Sequence, residues 1–369
     1  MGQSHQGVGR QARLIAISGC GGKGPACFLV ETRGKRIMLD LGYGPQPGLW
    51  PNVERVGKVD ALILSHAHRD HAGGLELREK LGNPPVFATA PAVGLLPAAI
   101  GAQPLPLAGE ADVLGIRVRT GRNGHAPGGV WLHFGIAGGF IYMGDHSVES
   151  LIYAYDPPPA AATLILDASY GAYDAPLAVC IEQFAPVVAR NAALLPIPVG
   201  GRGPEIVFHL ARNRLQPPAL GADLRAALSH MADEHAASLH PGVAPELARI
   251  ARDAPPITRP SGLMFTGYAD ATEGEAARLV AKWESEPAPE IVFTGYLPPG
   301  TPAERLVNSG RARYLRWNVH PRLSDNAALV RAVGATTVVP AFCGRKHLAA
   351  LSDAFAPARV TMDTPLDLQ

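Results

Sequence analysis

The sequence predicts an α/β protein with two domains. Its 369 residues can bury a large core and exceed the usual size of one domain. Short apolar runs that suit strands alternate with stretches of helical periodicity, and the 41 glycines and 35 prolines lie between them as turn residues. One such unit is an apolar strand from Val59 to Leu64 and a helix that starts near Gly73, and a histidine cluster lies between the two.

The composition excludes several classes of protein. Hydrophobic residues make up 47% and charged residues 18%, which is typical of globular chains. No apolar run is long enough to span a membrane, and the first residues lack the pattern of a signal peptide. The four scattered cysteines do not suggest a disulfide framework, so we expect a reducing, cytoplasmic setting. Because the net charge is only +1, any contact with nucleic acid requires a local basic patch.

The chain begins with three predicted strands, Ala12–Ser18, Cys27–Glu31 and Arg36–Leu41. A glycine-rich stretch, Gly19 to Gly24, separates the first two. It lacks the Lys-Ser/Thr of a phosphate-binding P-loop and precedes a strand, so a tight hairpin turn is the favoured interpretation.

The cluster from Leu64 to Gly74 reads Leu-Ser-His-Ala-His-Arg-Asp-His-Ala-Gly-Gly. Imidazole and carboxylate groups are the ligands that zinc prefers. His66 and His68 alternate like strand residues and can share one metal, whereas Asp70 and His71 lie beyond the bend and can face a second. A turn between a strand and a helix can hold these side chains close to one point.

His-x-His-x-Asp-His resembles the signature of the metallo-β-lactamase superfamily, and later segments resemble its β-CASP nuclease branch. The resemblance implies an αββα sandwich with an inserted α/β β-CASP-like domain and a substrate cleft between the two. It places the first part of the sandwich at residues 1–178, the insertion at 179–312 and the C-terminal return at 313–369.

The resemblance also extends the metal site. It implies that His125 joins the first metal, that Asp145 bridges both metals, and that Asp40 supports the metal-binding loop by hydrogen bonding. His146 lies outside the pattern and is expected to face solvent.

Several segments of the insertion and its flanks could bind a substrate. Arg202 stands at a predicted helix start and could bind phosphate, and Ser261 lies in a segment that resembles a β-CASP motif. Arg316 and Trp317 belong to a strip rich in arginine, residues 311–322, that could hold phosphates and stack a base. For Arg202 and for the strip, an ordinary solvated face is an equally good interpretation.

Two further motifs concern catalysis. Asp167 begins Asp-Ala-Ser-Tyr-Gly, which resembles the first β-CASP motif, and His320 falls where β-CASP proteins carry a proton-donating histidine. The last motif departs from the family, because Phe342 stands where a metal-binding histidine is expected. His347 is the nearest replacement and Cys343 a softer alternative.

The resemblance therefore implies a metallo-hydrolase, with a ribonuclease acting on single-stranded RNA as the first hypothesis and single-stranded DNA as a second substrate. Asp70, Asp145, Asp167 and His320 would be catalytic, with about two zinc ions per chain or manganese or iron in their place. The alternatives are a one-metal hydrolase of a smaller ester or phosphodiester and a nucleic-acid-binding relative without activity. No membrane partner is expected, and the sequence is compatible with a homo-oligomer.

Overall fold

The computed structural model describes residues 12–96, 100–212 and 217–368, so the expectation about the N-terminal residues lies outside the described chain. The strands, in chain order, are β1 (Ala12–Ser18), β2 (Cys27–Thr32), β3 (Lys35–Leu39), β4 (Ala61–Ile63), β5 (Val86–Thr89), β6 (Ala102–Leu105), β7 (Gly109–Val113), β8 (Ile116–Arg122), β9 (Val130–Phe134), β10 (Phe140–Tyr142), β11 (Thr163–Asp167), β12 (Ala192–Pro196), β13 (Ala219–Leu220), β14 (Gly262–Thr266), β15 (Glu290–Phe293), β16 (Ala312–Tyr314), β17 (Thr337–Ala341), β18 (Arg359–Val360) and β19 (Leu366–Leu368).

The α-helices follow the same order. They are α1 (Arg69–Ala72), α2 (Ala90–Gly94), α3 (Leu177–Glu182), α4 (Ala185–Val188), α5 (Arg202–Ala211), α6 (Ala222–Glu234), α7 (Val243–Asp253), α8 (Gly274–Trp283), α9 (Pro302–Asn308), α10 (Leu323–Val333) and α11 (Leu348–Phe355). Short 3-10 helices cover Leu75–Leu81, Ala236–Ser238 and Arg345–His347.

Two seven-stranded sheets pack face to face. Their strand orders are β19-β1-β2-β3-β4-β5-β6 and β18-β17-β11-β10-β9-β8-β7. Because side chains alternate along a strand, Phe28, Val30 and Ile37 point from the first sheet into a shared apolar core, where they meet Leu132, Phe140 and other residues of the second.

The opposite faces of these sheets are covered by helices and loops. On the second sheet, Ile141, Leu164 and Val338 pack in one cluster with Val330 of α10 and Phe355 of α11. This arrangement is the predicted αββα sandwich.

A third sheet has five parallel strands in the order β13-β14-β12-β15-β16. Leu195 and Leu194, neighbours on β12, face two different apolar clusters, so both sides of the sheet are covered by helices. This unit is the predicted inserted α/β domain. The predicted domain limits stay a prediction.

Several of the predicted site residues follow the carboxyl ends of parallel strands in the sandwich, so they lie at one edge of its sheets. β3 runs parallel to β4, and β10, β11 and β17 run parallel to one another. The residues that follow these strand ends are Asp40, Leu64–His68, Met143–Asp145, Ala168 and Phe342.

Most local predictions agree with the structure, and one needs correction. The glycine-rich stretch joins the antiparallel strands β1 and β2, as a hairpin connection does. The helix predicted from Gly73 is a 3-10 helix at Leu75–Leu81. The strip at residues 311–322 contains one short strand, Ala312–Tyr314. Within the described chain no helix is long and apolar enough to cross a bilayer.

Candidate metal centre and catalytic pocket

Asp40 holds the histidine loop in place through a set of buried hydrogen bonds. Its Oδ1 accepts from the Ser65 backbone N–H (2.7 Å), and its Oδ2 accepts from Ser65 Oγ (2.7 Å) and Tyr142 Oη (2.6 Å). The same Oδ2 lies 2.7 Å from His71 Nδ1. This contact places a proton on Nδ1 and leaves Nε2 of His71 free to bind a metal.

The short helix α1, which carries Asp70 and His71, is fixed by the segment after Asp40. Leu41 N–H donates to His71 O (2.8 Å), Tyr43 N–H donates to Arg69 O (2.9 Å), and Gly74 N–H donates to Leu41 O (2.8 Å). A Cβ atom at Gly42 would lie 1.8 Å from Asp70 O, so only glycine allows this close approach.

Four side chains form the first group of possible ligands, and their ligand atoms all lie within 4.8 Å of one another: His66, His68, His125 and Asp145. His125 Nδ1 lies 2.8 Å from the Val319 carbonyl, to which it can only donate, so its Nε2 carries a lone pair. That Nε2 is 3.0 Å from His68 Nδ1 and 3.4 Å from Asp145 Oδ2.

Asp70, His71 and Asp145 form a second group with the same mutual limit of 4.8 Å. His71 Nε2 lies 3.1 Å from Asp145 Oδ1. Asp145 therefore belongs to both groups and can bridge two cations.

The two groups fit divalent metal ions by their chemistry. The buried Nε2 of His66 has no hydrogen-bond partner among the described residues, as expected of a ligand atom. Burial and the neighbouring histidines lower the pKa of His66, and burial and His125 lower that of His68 to about 3, so both rings are neutral. Burial opposes ionisation of Asp145, but His71 and His320 hold the pKa of this carboxyl well below its usual range. Neutral imidazole and ionised carboxylate are the forms that bind metals.

His320 lies at the edge of these groups. Its Nδ1 is 2.7 Å from Asp167 Oδ2 and 3.7 Å from Asp145 Oδ2, and its ring packs on that of His125 with centroids 5.1 Å apart. Burial would lower the pKa of His320, but the charges of Asp167 and Asp145 raise it above its ordinary value. Since Asp167 occupies Nδ1, the other ring nitrogen is the one that can give a proton to a ligand.

A small cavity of about 170 Å³ joins these residues to the inserted domain. Its lining includes His68, Asp70, His125, Asp145, Gly201, Arg202 and His320. The Arg202 guanidinium donates from Nε to Thr294 Oγ1 (3.2 Å), and burial lowers its pKa. Among the described residues no carboxylate pairs with Arg202, so an anion in the cavity would meet an uncompensated positive charge.

Two of the predicted substrate-binding residues are wrong. Trp317 is 2% exposed, and its indole N–H donates to Glu205 Oε2 (3.1 Å) inside the core, so it cannot stack on a base. Ser261 immediately precedes β14 and lines a different cavity with Pro217 and Pro255, at the strand end opposite to the metal groups. Arg316 lies between the rings of Tyr170 and Tyr173, with its Cζ 4.0 and 3.8 Å from their centroids, and its role in binding stays a prediction.

The proposed replacements in the last motif do not reach the metal groups. His347 belongs to neither group, because the 3-10 helix that carries it directs its ring toward Gly171. Burial raises the pKa of the Cys343 thiol to about 12, which opposes a thiolate. Phe342 instead packs its ring against His71, with centroids 5.2 Å apart.

The expectation that His146 faces solvent is also wrong. Its side chain is fully buried, and burial lowers its pKa to about 4. Tyr142 and Tyr170 are not among the predicted site residues, although Tyr170 lies in the quoted Asp-Ala-Ser-Tyr-Gly motif. Tyr142 donates to Asp40, and Tyr170 Oη accepts from Val319 N–H at 2.9 Å, which fixes the residue before His320.

Comparison with known proteins identifies the class. Residues 20–182 match the model of the metallo-beta-lactamase superfamily, which confirms the predicted resemblance. A protein of unknown function from Enterococcus faecalis V583 has the same fold, with a TM-score of 0.65 over 97% of this chain and 100% of that one at 12% identity.

More specific relatives are β-CASP proteins, which confirms the predicted branch. The transcription termination factor FttA of Cenarchaeum symbiosum is 27% identical over 53% of this chain and 38% of its own. An RNase J-like protein of Methanocaldococcus jannaschii is 46% identical over 15% of this chain and 13% of its own. Cleavage and polyadenylation specificity factor subunit 2 of Oryza sativa is 37% identical over 23% and 12%. The chain thus spans less than two fifths of the length of these relatives.

Proposed function

We propose that the protein is a metal-dependent phosphodiesterase that cleaves single-stranded RNA. The observation that carries the proposal is the pair of His320 and Asp167, 2.7 Å apart, because His320 lines the same cavity as His68, His125 and Asp145. Phosphodiester cleavage needs charge stabilisation at phosphorus and a proton for the leaving oxygen, and this cavity offers both. The names of the RNase J-like and cleavage-factor relatives support RNA as the substrate.

The chain's own residues have separable tasks. His66, His68, His125 and Asp145 would hold one cation, and Asp70, His71 and Asp145 a second. When bound, such cations supply Lewis-acid polarisation of the phosphoryl group and activation of water. Zinc suits these ligands, and manganese or iron can use the same set.

His320 acts as the general acid. A water molecule would give one proton to Asp70, which lines the same cavity, and its oxygen would add to phosphorus. The bond to the leaving oxygen would break with its electron pair, and the proton on the free ring nitrogen of His320 would pass to that oxygen. Asp167 accepts from Nδ1, holds the ring in the required orientation and stabilises its protonated form. Arg202 binds the non-bridging oxygens of the phosphate, because its buried charge has no carboxylate partner among the described residues.

A one-metal hydrolase of a smaller ester or phosphodiester is the second candidate. The observation that favours it is Phe342, whose ring lies against His71 where a fourth ligand for the second cation would be expected. With three ligands the second group would bind its metal more weakly than the first.

Elemental analysis and a cleavage assay test both candidates. We expect purified protein to contain two metal ions per chain and to cleave labelled single-stranded RNA, with single-stranded DNA as the second substrate to assay. H68A should abolish cleavage and reduce metal content without unfolding the protein. H133A is the matched control, because His133 lies on β9 outside both ligand groups. One metal with activity only on small esters would favour the second candidate, and full RNA cleavage by H68A would refute the first.

A further inference from the structure

A second and larger cavity adjoins the one that the metal groups line. Its volume is about 910 Å³, and Pro198 lines both cavities. Three consecutive residues also connect the two cavities. His68 and Asp70 line the smaller cavity, and Arg69, which lies between them in the sequence, lines the larger one. A molecule that reaches the metal groups can therefore extend directly into the larger cavity.

The two cavity volumes suit different parts of a nucleotide substrate. Sites that enclose a small organic ligand measure about 300–1,000 Å³. The smaller cavity, of about 170 Å³, suits one phosphate group and the cations, and cannot also hold a nucleoside. The larger cavity is of the right size for the nucleoside attached to that phosphate.

Three large side chains that line the larger cavity are exposed to solvent. Tyr268 follows β14 and is 42% exposed, Tyr296 follows β15 and is 49% exposed, and Val199 follows β12 and is 43% exposed. Large apolar side chains that are exposed around one cavity mark a binding surface. The two tyrosines follow β14 and β15, the strands on either side of β12, and such rings are suited to stacking on a base.

The charges of the larger cavity exclude a second phosphate. Among the described residues its lining carries three carboxylates, Asp223, Asp270 and Glu273, and one cation, Arg69. The Arg69 guanidinium lies 4.2 Å from the Tyr43 ring centroid. A sugar-phosphate backbone would be repelled here, whereas a base with an exocyclic amino group could donate to a carboxylate. Uracil has no amino group, and the carbonyl oxygens on both sides of its N3–H would face the carboxylates.

We infer that the cavity between Tyr268 and Tyr296 binds one nucleobase of the substrate and prefers bases with an exocyclic amino group to uracil. The inference rests on the proposed action on RNA, since that places a phosphate in the adjoining cavity. Stacking supplies the affinity, and the carboxylates supply the choice of base.

Calorimetric titration of the purified protein with adenosine, cytidine, uridine and ribose tests the inference without using catalysis. We expect adenosine and cytidine to bind more tightly than uridine, and ribose not to bind. Y268A and Y296A should each weaken adenosine binding roughly 5- to 150-fold, whereas Y268F should retain it. L114A is the control, because Leu114 is an exposed apolar residue between β7 and β8, away from this cavity.

A double variant tests whether the carboxylates determine the preference for a base. D223N/D270N should bring the affinities for cytidine and uridine closer together while leaving stacking in place. The inference is overturned if adenosine does not bind, if both alanine variants bind it like L114A, or if uridine binds as tightly as cytidine. Failure of the RNA assay with intact nucleoside binding would instead refute the proposed reaction alone.

Discussion

Replacing Asp40 by asparagine should weaken metal binding although Asp40 contacts no metal in this account. The carboxylate accepts from Ser65 N–H, Ser65 Oγ, Tyr142 Oη and His71 Nδ1 at 2.6–2.7 Å. An asparagine has one acceptor oxygen, so its amide N–H₂ must face part of this set of donors. If it faces His71, the ring must shift its proton to Nε2, which is the atom directed at Asp145.

The magnitudes follow from the hydrogen bonds. A hydrogen bond to a charged group contributes about 1.5–3 kcal/mol, so we expect D40N to lose about 2–4 kcal/mol of unfolding free energy. Loss of a carboxylate that orients a metal-binding histidine typically weakens metal affinity about 10- to 100-fold. That loss should fall on the second group, Asp70, His71 and Asp145.

Competition with a chromophoric chelator measures the affinity, and denaturant titration measures the stability. Y142F is the matched control, because it removes one hydrogen bond to Asp40 and leaves the proton of His71 where it is. Metal affinity of D40N equal to that of Y142F would refute the assigned role of Asp40.

Three other substitutions test separate parts of the structure. F342H should tighten binding of the second cation by adding a fourth ligand, because His tolerates the positive φ of 61° at this position and would lie beside His71; unchanged affinity for that cation in chelator competition would contradict this. G42A should lower the unfolding free energy by about 2–4 kcal/mol and displace Asp70, because its Cβ would lie 1.8 Å from Asp70 O. G135A is the control: the space around Gly135 is open, so denaturant titration should show no change in its unfolding free energy. Burial raises the pKa of Glu205 from 4.5 to about 7, so its contribution to stability is present below about pH 4.5 and is lost as the pH rises through 7. Unfolding free energies measured across this range should fall by about 3 kcal/mol in the wild type relative to E205Q; parallel curves for the two proteins would refute the shift.

The sequence predicts the ligand groups well because their members are close in the chain or stand at strand ends. His66, His68, Asp70 and His71 lie within six residues, so a strand followed by a tight turn brings them together whatever the rest of the fold does. The αββα class was also predictable, through the resemblance of these motifs to the metallo-β-lactamase superfamily.

The side-chain directions that the sequence did not predict depend on contacts between distant segments. Trp317 follows an arginine and suggests an exposed aromatic, but its indole N–H donates to Glu205 on α5, inside the core. Arg316 meets Tyr170 and Tyr173 across more than 140 positions of chain. His347 follows Phe342 closely, yet the 3-10 helix between Arg345 and His347 directs its ring elsewhere. Spacing along the chain does not encode these directions.

The central claim is that the imidazoles of His66, His68 and His125 and the carboxylate of Asp145 surround a cation. Anomalous diffraction from crystals grown with zinc measures this directly. We expect an anomalous peak among these side chains, at about 2.0–2.1 Å from the histidine nitrogens. Absence of a peak there, with the three rings unchanged in zinc-loaded crystals, would contradict it.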